Sequence, residues 1–156
     1  MFGTLSSELE VNAPASAVWE VYGSLQLAAV VEKGFVDVVE KIEVAEGDGS
    51  VGTVLNLVFQ PGIMPFPSYK EKFITIDNEK RIKETLVVEG GYLEMGFERY
   101  YVQFEIKEKD EKSCITKATI EYELKEESAA NVSMVSIDSL IAIMNIANTH
   151  ILANTT

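Results

Sequence analysis

The stretch Ser68-Tyr69-Lys70-Glu71-Lys72-Phe73-Ile74-Thr75-Ile76-Asp77-Asn78-Glu79-Lys80-Arg81-Ile82-Lys83 brings a phenol, a carboxylate and an amine into one predicted hairpin. Two alternating runs flank Asp77-Asn78-Glu79-Lys80, where Asp and Asn favour a turn because their side chains bond nearby backbone and tolerate left-handed geometry. Residues two apart on a strand share a face, so Tyr69, Glu71, Phe73 and Thr75 point one way and Lys70 and Lys72 the other. If Phe73 faces a core, Glu71 enters the interior with it, and desolvation raises its pKa towards the range of a general base. If a loop covers Tyr69 and Phe73 instead, Glu71 stays solvated. In the second run Ile82, Leu86 and Val88 form the apolar side, which turns Arg81, Lys83 and Thr85 outward.

Strand patterns continue on both sides of this hairpin. Upstream, Leu5, Leu9 and Val11 alternate with polar residues up to Pro14, and Ala15–Tyr22 then has helical spacing until Gly23-Ser24. A second short helix is predicted over Leu25–Glu32, closed by Gly34, followed by strands over Val36–Val44 and Val51–Phe59. The segment Gln60–Pro67 holds three of the four prolines and reads as a surface loop with Ile63, Met64 and Phe66 exposed. Downstream, Glu89-Gly90-Gly91 is a turn, and Tyr100, Val102, Phe104 and Ile106 alternate inward. After a charged turn over Lys107–Lys112, Cys114, Thr116, Ala118, Ile120, Tyr122 and Leu124 do the same. From Ser128 to about Leu152 the period becomes helical, with Met134, Ile137, Ile141, Met144 and Ile151 on one stripe. A helix with so few charges needs cover, and the concave face of a curved sheet supplies it. The expected class is α+β: a curved seven-stranded antiparallel sheet gripping a long C-terminal helix, with two short helices after the first strand.

Composition narrows the function. The 156 residues fit one domain, and a chain of this size buries about 68–70% of its unfolded surface. With 13 Lys and Arg against 25 Asp and Glu, the formal charge of -12 repels nucleic-acid backbones and anionic membranes. No uninterrupted apolar run reaches a membrane span. A lone cysteine, Cys114, and an N-terminus without a basic-then-apolar leader lead us to expect a cytoplasmic protein. His150 is the only histidine, so neither a metal site nor a Ser/His/Asp triad is supported, and no cofactor is expected. Gly47-Asp48-Gly49-Ser50-Val51-Gly52 spells G-x-G-x-x-G, but strand-patterned residues follow it where a dinucleotide site requires a helix.

Six stretches carry a family resemblance: Glu8-Leu9-Glu10-Val11, Val18-Trp19-Glu20-Val21-Tyr22, Gly47–Thr53, Tyr69–Phe73, Asp77–Arg81 and Glu89-Gly90-Gly91-Tyr92-Leu93. On these the chain resembles, nearly end to end, the plant pathogenesis-related class ten and birch-pollen-allergen superfamily, and within it the norcoclaurine synthases. The resemblance implies a helix-grip fold with a tunnel between sheet and long helix. It also implies condensation of an amine such as dopamine with an aldehyde such as 4-hydroxyphenylacetaldehyde. The catalytic tyrosine, glutamate and lysine of those synthases fall on Tyr69, Glu71 and Lys83. This places Lys83 inside, against its alternation, which a bulge or a three-residue turn would accomplish. Leu57, Phe73, Tyr100, Val102, Ile141 and Met144 are the candidate ligand-binding residues. Two features depart from the synthase pattern: Val102 stands at an aspartate position, and the Pro61–Tyr69 loop is one residue longer. Other members of the superfamily are non-catalytic carriers of hydrophobic metabolites or proton-transfer enzymes acting on alkaloids, and both remain alternatives. The expected assembly is a monomer or weak homodimer.

Overall fold

The computed structural model describes residues 1–154. Its strands are β1 (Phe2–Val11), β2 (Val39–Glu46), β3 (Val54–Phe59), β4 (Ser68–Asp77), β5 (Ile82–Gly90), β6 (Phe97–Asp110) and β7 (Ser113–Leu124). The helices are α1 (Ala15–Tyr22), α2 (Gln26–Gly34) and α3 (Asp138–Asn154), with 3-10 turns over Gly91–Met95 and Glu126–Met134. All strands join one antiparallel sheet in the order β1-β7-β6-β5-β4-β3-β2, so the two edges are the first strands on either side of the helical insert. The expected architecture is therefore observed.

Local chemistry sets the element boundaries. Pro14, in extended geometry, opens α1, and its carbonyl accepts from Ala17 and Val18. Ala15, Val18, Val21 and Tyr22 are buried, at the spacing of one helical face. The glycine-rich loop is a turn: Gly47, Gly49 and Gly52 have φ of 91°, 105° and 99°, a region closed to most side chains. The loop is tied internally, with the Gly49 amide donating to Thr53 Oγ1 at 2.8 Å and the Gly52 amide to the Phe73 carbonyl at 2.8 Å.

Several expected boundaries move. Val36–Val38 form a turn on the Phe35 carbonyl, so β2 starts at Val39, and the glycine turn delays β3 to Val54. Strand β6 runs through Lys107 to Asp110 because its ladder with β7 continues there, Lys107 opposite Ile115 and Asp110 opposite Ser113, leaving only a two-residue turn, and Lys107 and Lys109 reach across to Glu8 and Glu10 on β1. The C-terminal helical run is broken at Val135-Ser136, so α3 begins at Asp138 rather than Ser128. On average hydropathy Glu126–Asn154 is apolar enough to cross a membrane, yet it is interrupted, and Leu140, Met144, Ala147 and Ile151 of α3 are buried within the protein.

A buried polar chain fastens α3 to its surroundings. The Tyr22 hydroxyl donates to Asn148 Oδ1 at 2.7 Å, Asn148 Nδ2 to Thr116 Oγ1 at 3.1 Å, and Thr116 Oγ1 to the Leu9 carbonyl at 3.3 Å. The chain thus links α1, α3, β7 and β1, and burial pushes the Tyr22 phenol pKa upward. Tyr22→Phe leaves the Asn148 acceptor without this donor and is expected to cost about 1–3 kcal/mol, read as a lower denaturation midpoint with an unchanged slope.

Candidate functional site

On β4 the extended backbone sends Tyr69, Glu71 and Phe73 to the concave face, so the open question about Glu71 resolves inward. Its partners across β4 and β5 are offset by an extra residue. Phe73 pairs with Thr85, but the next pairs are Thr75 with Glu84 and Ile76 with Lys83, leaving Ile74 as a bulge. Because paired residues share a face, Thr85 and Lys83 follow Phe73 inward, and Lys83 is only 3% exposed.

This corrects the outward reading of Lys83 and Thr85. The apolar residues used to choose the core side of β5 belong largely to the convex face: Val88 is 41% exposed, and Leu86 pairs with Tyr101 of β6. That face has its own cluster, in which the Tyr101 hydroxyl donates to Glu84 Oε2, Gln103 Nε2 donates to the same oxygen at 2.9 Å, and Arg99 lies over the Tyr101 ring. Arg81 takes a left-handed φ of 55° to close the turn, and Asp77 Oδ1 accepts from the amides of Glu79 and Lys80.

Tyr69, Glu71, Lys83 and Thr85 line a cavity of about 80 Å³ between sheet and helices. Its walls are apolar: Leu55 and Leu57 of β3, Val102 and Phe104 of β6, Leu27 and Val31 of α2, and Leu140 and Ile143 of α3. Burial raises the Glu71 pKa above the ordinary carboxylate range, although nearby Lys83 and the Thr85 hydroxyl oppose the shift. Burial lowers the Lys83 amine to about 8 against the opposing pull of Glu71. Lys83 Nζ donates to the Ser24 carbonyl at 3.4 Å, at the α1–α2 corner, and sits 4.1 Å from the centre of the Phe73 ring. Tyr69 is held by Phe59, Phe66 and Tyr92, and its phenol is pushed well above its ordinary pKa by burial, then by Glu71 and Tyr92. Gly91, at φ 56°, lets the backbone pass Tyr69: an added Cβ would sit 2.7 Å from the Tyr69 Cβ.

The candidate ligand residues divide. Leu57 and Val102 line the cavity, and Val102 pairs directly with Thr85. Phe73 lies beneath Lys83, Met144 is fully buried in the core, and Tyr100 is stacked on Tyr92 at 3.7 Å; none of the three is in the cavity wall, nor is half-buried Ile141. Phe66, expected to be exposed, is 4% exposed because Phe59, Tyr69 and Tyr92 surround it, whereas Ile63 is exposed. Reading the sequence missed the wall supplied by α2 and the hydroxyl of Thr85. Leu27 and Val31 are i, i+4 neighbours and marked a buried helix face, but which surface they cover depends on how the helix is placed. A second, open groove of about 630 Å³ lies between the outer sides of α2 and α3, lined by Val30, Lys33, Ile146 and His150 among others, and contains none of Tyr69, Glu71 or Lys83. Among the described residues no group of three or more His, Cys, Asp or Glu could hold a metal ion.

The arrangement of the sheet and its helices has close counterparts. Norbelladine synthase of Narcissus pseudonarcissus is 45% identical over 152 residues, covering 97% of this chain and 93% of the relative. S-norcoclaurine synthase 2 of Papaver somniferum is 43% identical over 81% of the chain, which spans only 54% of that relative's length. The structure of norcoclaurine synthase from Thalictrum flavum in complex with dopamine and hydroxybenzaldehyde superimposes with a TM-score of 0.90 at 34% identity, covering 100% of this chain and 90% of the other. The model of the pathogenesis-related protein Bet v 1 family matches residues 1–154, and the chain belongs to that family.

Proposed function

We propose that this chain condenses a phenolic ethylamine such as dopamine with an aromatic aldehyde such as 4-hydroxyphenylacetaldehyde in a Pictet–Spengler-type reaction. The observation that carries this reading is the enclosure of Glu71 and Lys83 in one apolar cavity, with burial shifting their pKa values towards each other. A passive hydrophobic pocket gains nothing from two costly ionisable groups, whereas acid–base chemistry needs them. The similarity to a synthase structure holding dopamine and hydroxybenzaldehyde supports the substrate class.

Amine and aldehyde first lose water to form an iminium. The neutral Lys83 amine then takes the proton of the phenol and raises the nucleophilicity of the ring, which attacks the iminium carbon and closes the second ring. Glu71 accepts the displaced ring proton and restores aromaticity, while Tyr69 orients the partners. The cavity as described is smaller than the roughly 300 Å³ of ordinary ligand sites, so substrates enter as side chains part. The sheet wall is a continuous hydrogen-bonded ladder, so admission of substrate is expected to displace Leu140 and Ile143 on α3 and Leu27 and Val31 on α2.

The test is to incubate the protein with dopamine and 4-hydroxyphenylacetaldehyde and resolve the product on a chiral column. One enantiomer in excess, formed faster than without protein, is expected; a racemic product at the uncatalysed rate would overturn the reading. The apolar wall at Val102 favours a second reading, a carrier of hydrophobic metabolites, for which ligand binding without turnover is the signature.

Val102 also sets a prediction on specificity. Without a carboxylate there, the cavity favours bulky apolar aldehydes, and Val102→Asp is expected to shift preference towards small hydroxylated ones. The new buried charge should cost about 0.5–3 kcal/mol. A substrate panel and a melting curve on both proteins check this, and an unchanged ranking with an unchanged melting temperature would contradict it.

A further inference from the structure

Lys83 is the only lysine buried among the described residues, and no carboxylate lies within ion-pairing distance of its nitrogen. The two groups that touch Nζ are of another kind: the Ser24 carbonyl at 3.4 Å accepts one N–H, and the Phe73 ring face lies 4.1 Å away. Neither uses the lone pair of a neutral amine, and Lys83 is part of the cavity wall that also holds the Glu71 carboxyl. An amine desolvated in this way is the arrangement that reacts with carbonyl carbon.

We propose that Lys83 is a covalent site for aldehydes, forming a reversible imine with an aldehyde that enters the cavity before the amine substrate. The proposal rests on the condensation reading, and it gives Lys83 a chemistry distinct from holding a phenol. Nζ adds to the aldehyde carbon, and a proton passes from nitrogen to oxygen to give a carbinolamine. Protonated Glu71 supplies a second proton to the hydroxyl, the C–O bond breaks, and water leaves. The resulting iminium returns a proton to the Glu71 carboxylate, so the group is regenerated and no oxidant or reductant is consumed. The substrate amine then attacks the same carbon and displaces Nζ by transimination. This yields the substrate imine, which takes back the proton held on Glu71 to become the iminium, and frees Lys83 for the phenol. Apolar Leu57, Val102 and Phe104 limit water at the imine carbon and so slow its hydrolysis.

With a pKa of about 8, roughly one tenth of Lys83 is neutral at pH 7, against about 3 in 10⁴ for an ordinary lysine, a reactive fraction some 300-fold larger. Exposed lysines such as Lys112 and Lys125 serve as internal controls.

The experiment treats the full chain at pH 7 with 4-hydroxybenzaldehyde and cyanoborohydride, which reduces an imine to a stable secondary amine, and maps the label by peptide mass spectrometry. Early label concentrated on Lys83, about 100-fold or more over an ordinary solvent-exposed lysine, is expected from the difference in neutral fraction. Lys83→Arg should remove that label while leaving labelling elsewhere unchanged. If the variant does not fold, the wild-type map alone decides. Label spread evenly over exposed lysines, or confined to the Met1 α-amine, would overturn the proposal. Its failure is distinguishable from that of the parent reading. Chiral product without label on Lys83 sinks only the imine, whereas label on Lys83 without product supports the imine and sinks the condensation.

Discussion

Glu71→Gln is expected to slow the condensation by about 10²–10⁴-fold, the range of general acid–base assistance, with little change in melting temperature. Glutamine keeps the shape that packs between Leu55 and Val87, the cross-strand partners of Glu71, but cannot accept the ring proton. The pH dependence follows from two shifts. The Glu71 pKa is raised, so the base is lost below a pH higher than that of an ordinary carboxylate, and the variant should lack this acid limb. Lys83 must be neutral to take the phenol proton, so the wild-type rate should climb as pH rises through about 8. Initial rates of chiral product across pH check both limbs. A loss smaller than twofold in Glu71→Gln would remove Glu71 from the chemistry.

Lys83→Met is expected to abolish turnover and yet stabilise the fold at pH 7 by on the order of 3 kcal/mol. That figure follows from a shift from 10.5 to about 8 at 1.36 kcal/mol per unit. The sign comes from proton linkage. The lowered pKa means the folded state holds the Lys83 proton less tightly than the unfolded state, so at pH below about 8 the buried charge carries its full penalty. As pH rises from about 8 to above 10.5, the unfolded lysine also becomes neutral and the penalty disappears. The gap between variant and wild type should therefore close over that interval. Denaturant unfolding at pH 7 and pH 10 measures it, and a variant less stable than wild type at pH 7 would mean that Lys83 is not desolvated as described. A residue that costs stability where an apolar one would fit is a common mark of function.

The sheet was readable because inward positions on β1 and β7, and from Tyr100 to Ile106 on β6, alternate, and the long helical period at the end needed cover that only the sheet offered. The hairpin at the site was half readable. Tyr69, Glu71 and Phe73 keep strict period two, so their shared face was legible. Lys83 was not, because β5 carries an irregularity of its own: Lys70 pairs with Glu89 but Glu71 with Val87, so Val88 is passed over and Val87, Thr85 and Lys83 take the inward face, which the alternation of β5 does not report. There the inward positions carry Lys83 and Thr85, and the outward Leu86 is sheltered by Tyr101, so hydrophobicity pointed to the wrong face. The resemblance to the synthases placed Lys83 where periodicity could not. Met144 and Tyr100 show the converse: an inward position is not a cavity position, and which inward residues are packed solid depends on side-chain fit.

The proposed condensation requires ligand to bind between sheet and α3, against Tyr69, Glu71 and Lys83. A crystal structure of the protein soaked with dopamine decides this. The catechol ring is expected in the inner cavity, with a hydroxyl within hydrogen-bonding reach of Lys83 Nζ and Leu140 and Ile143 displaced to admit it. Dopamine lodged in the outer groove between α2 and α3, beside Lys33 and His150, with the inner cavity still closed, would contradict it.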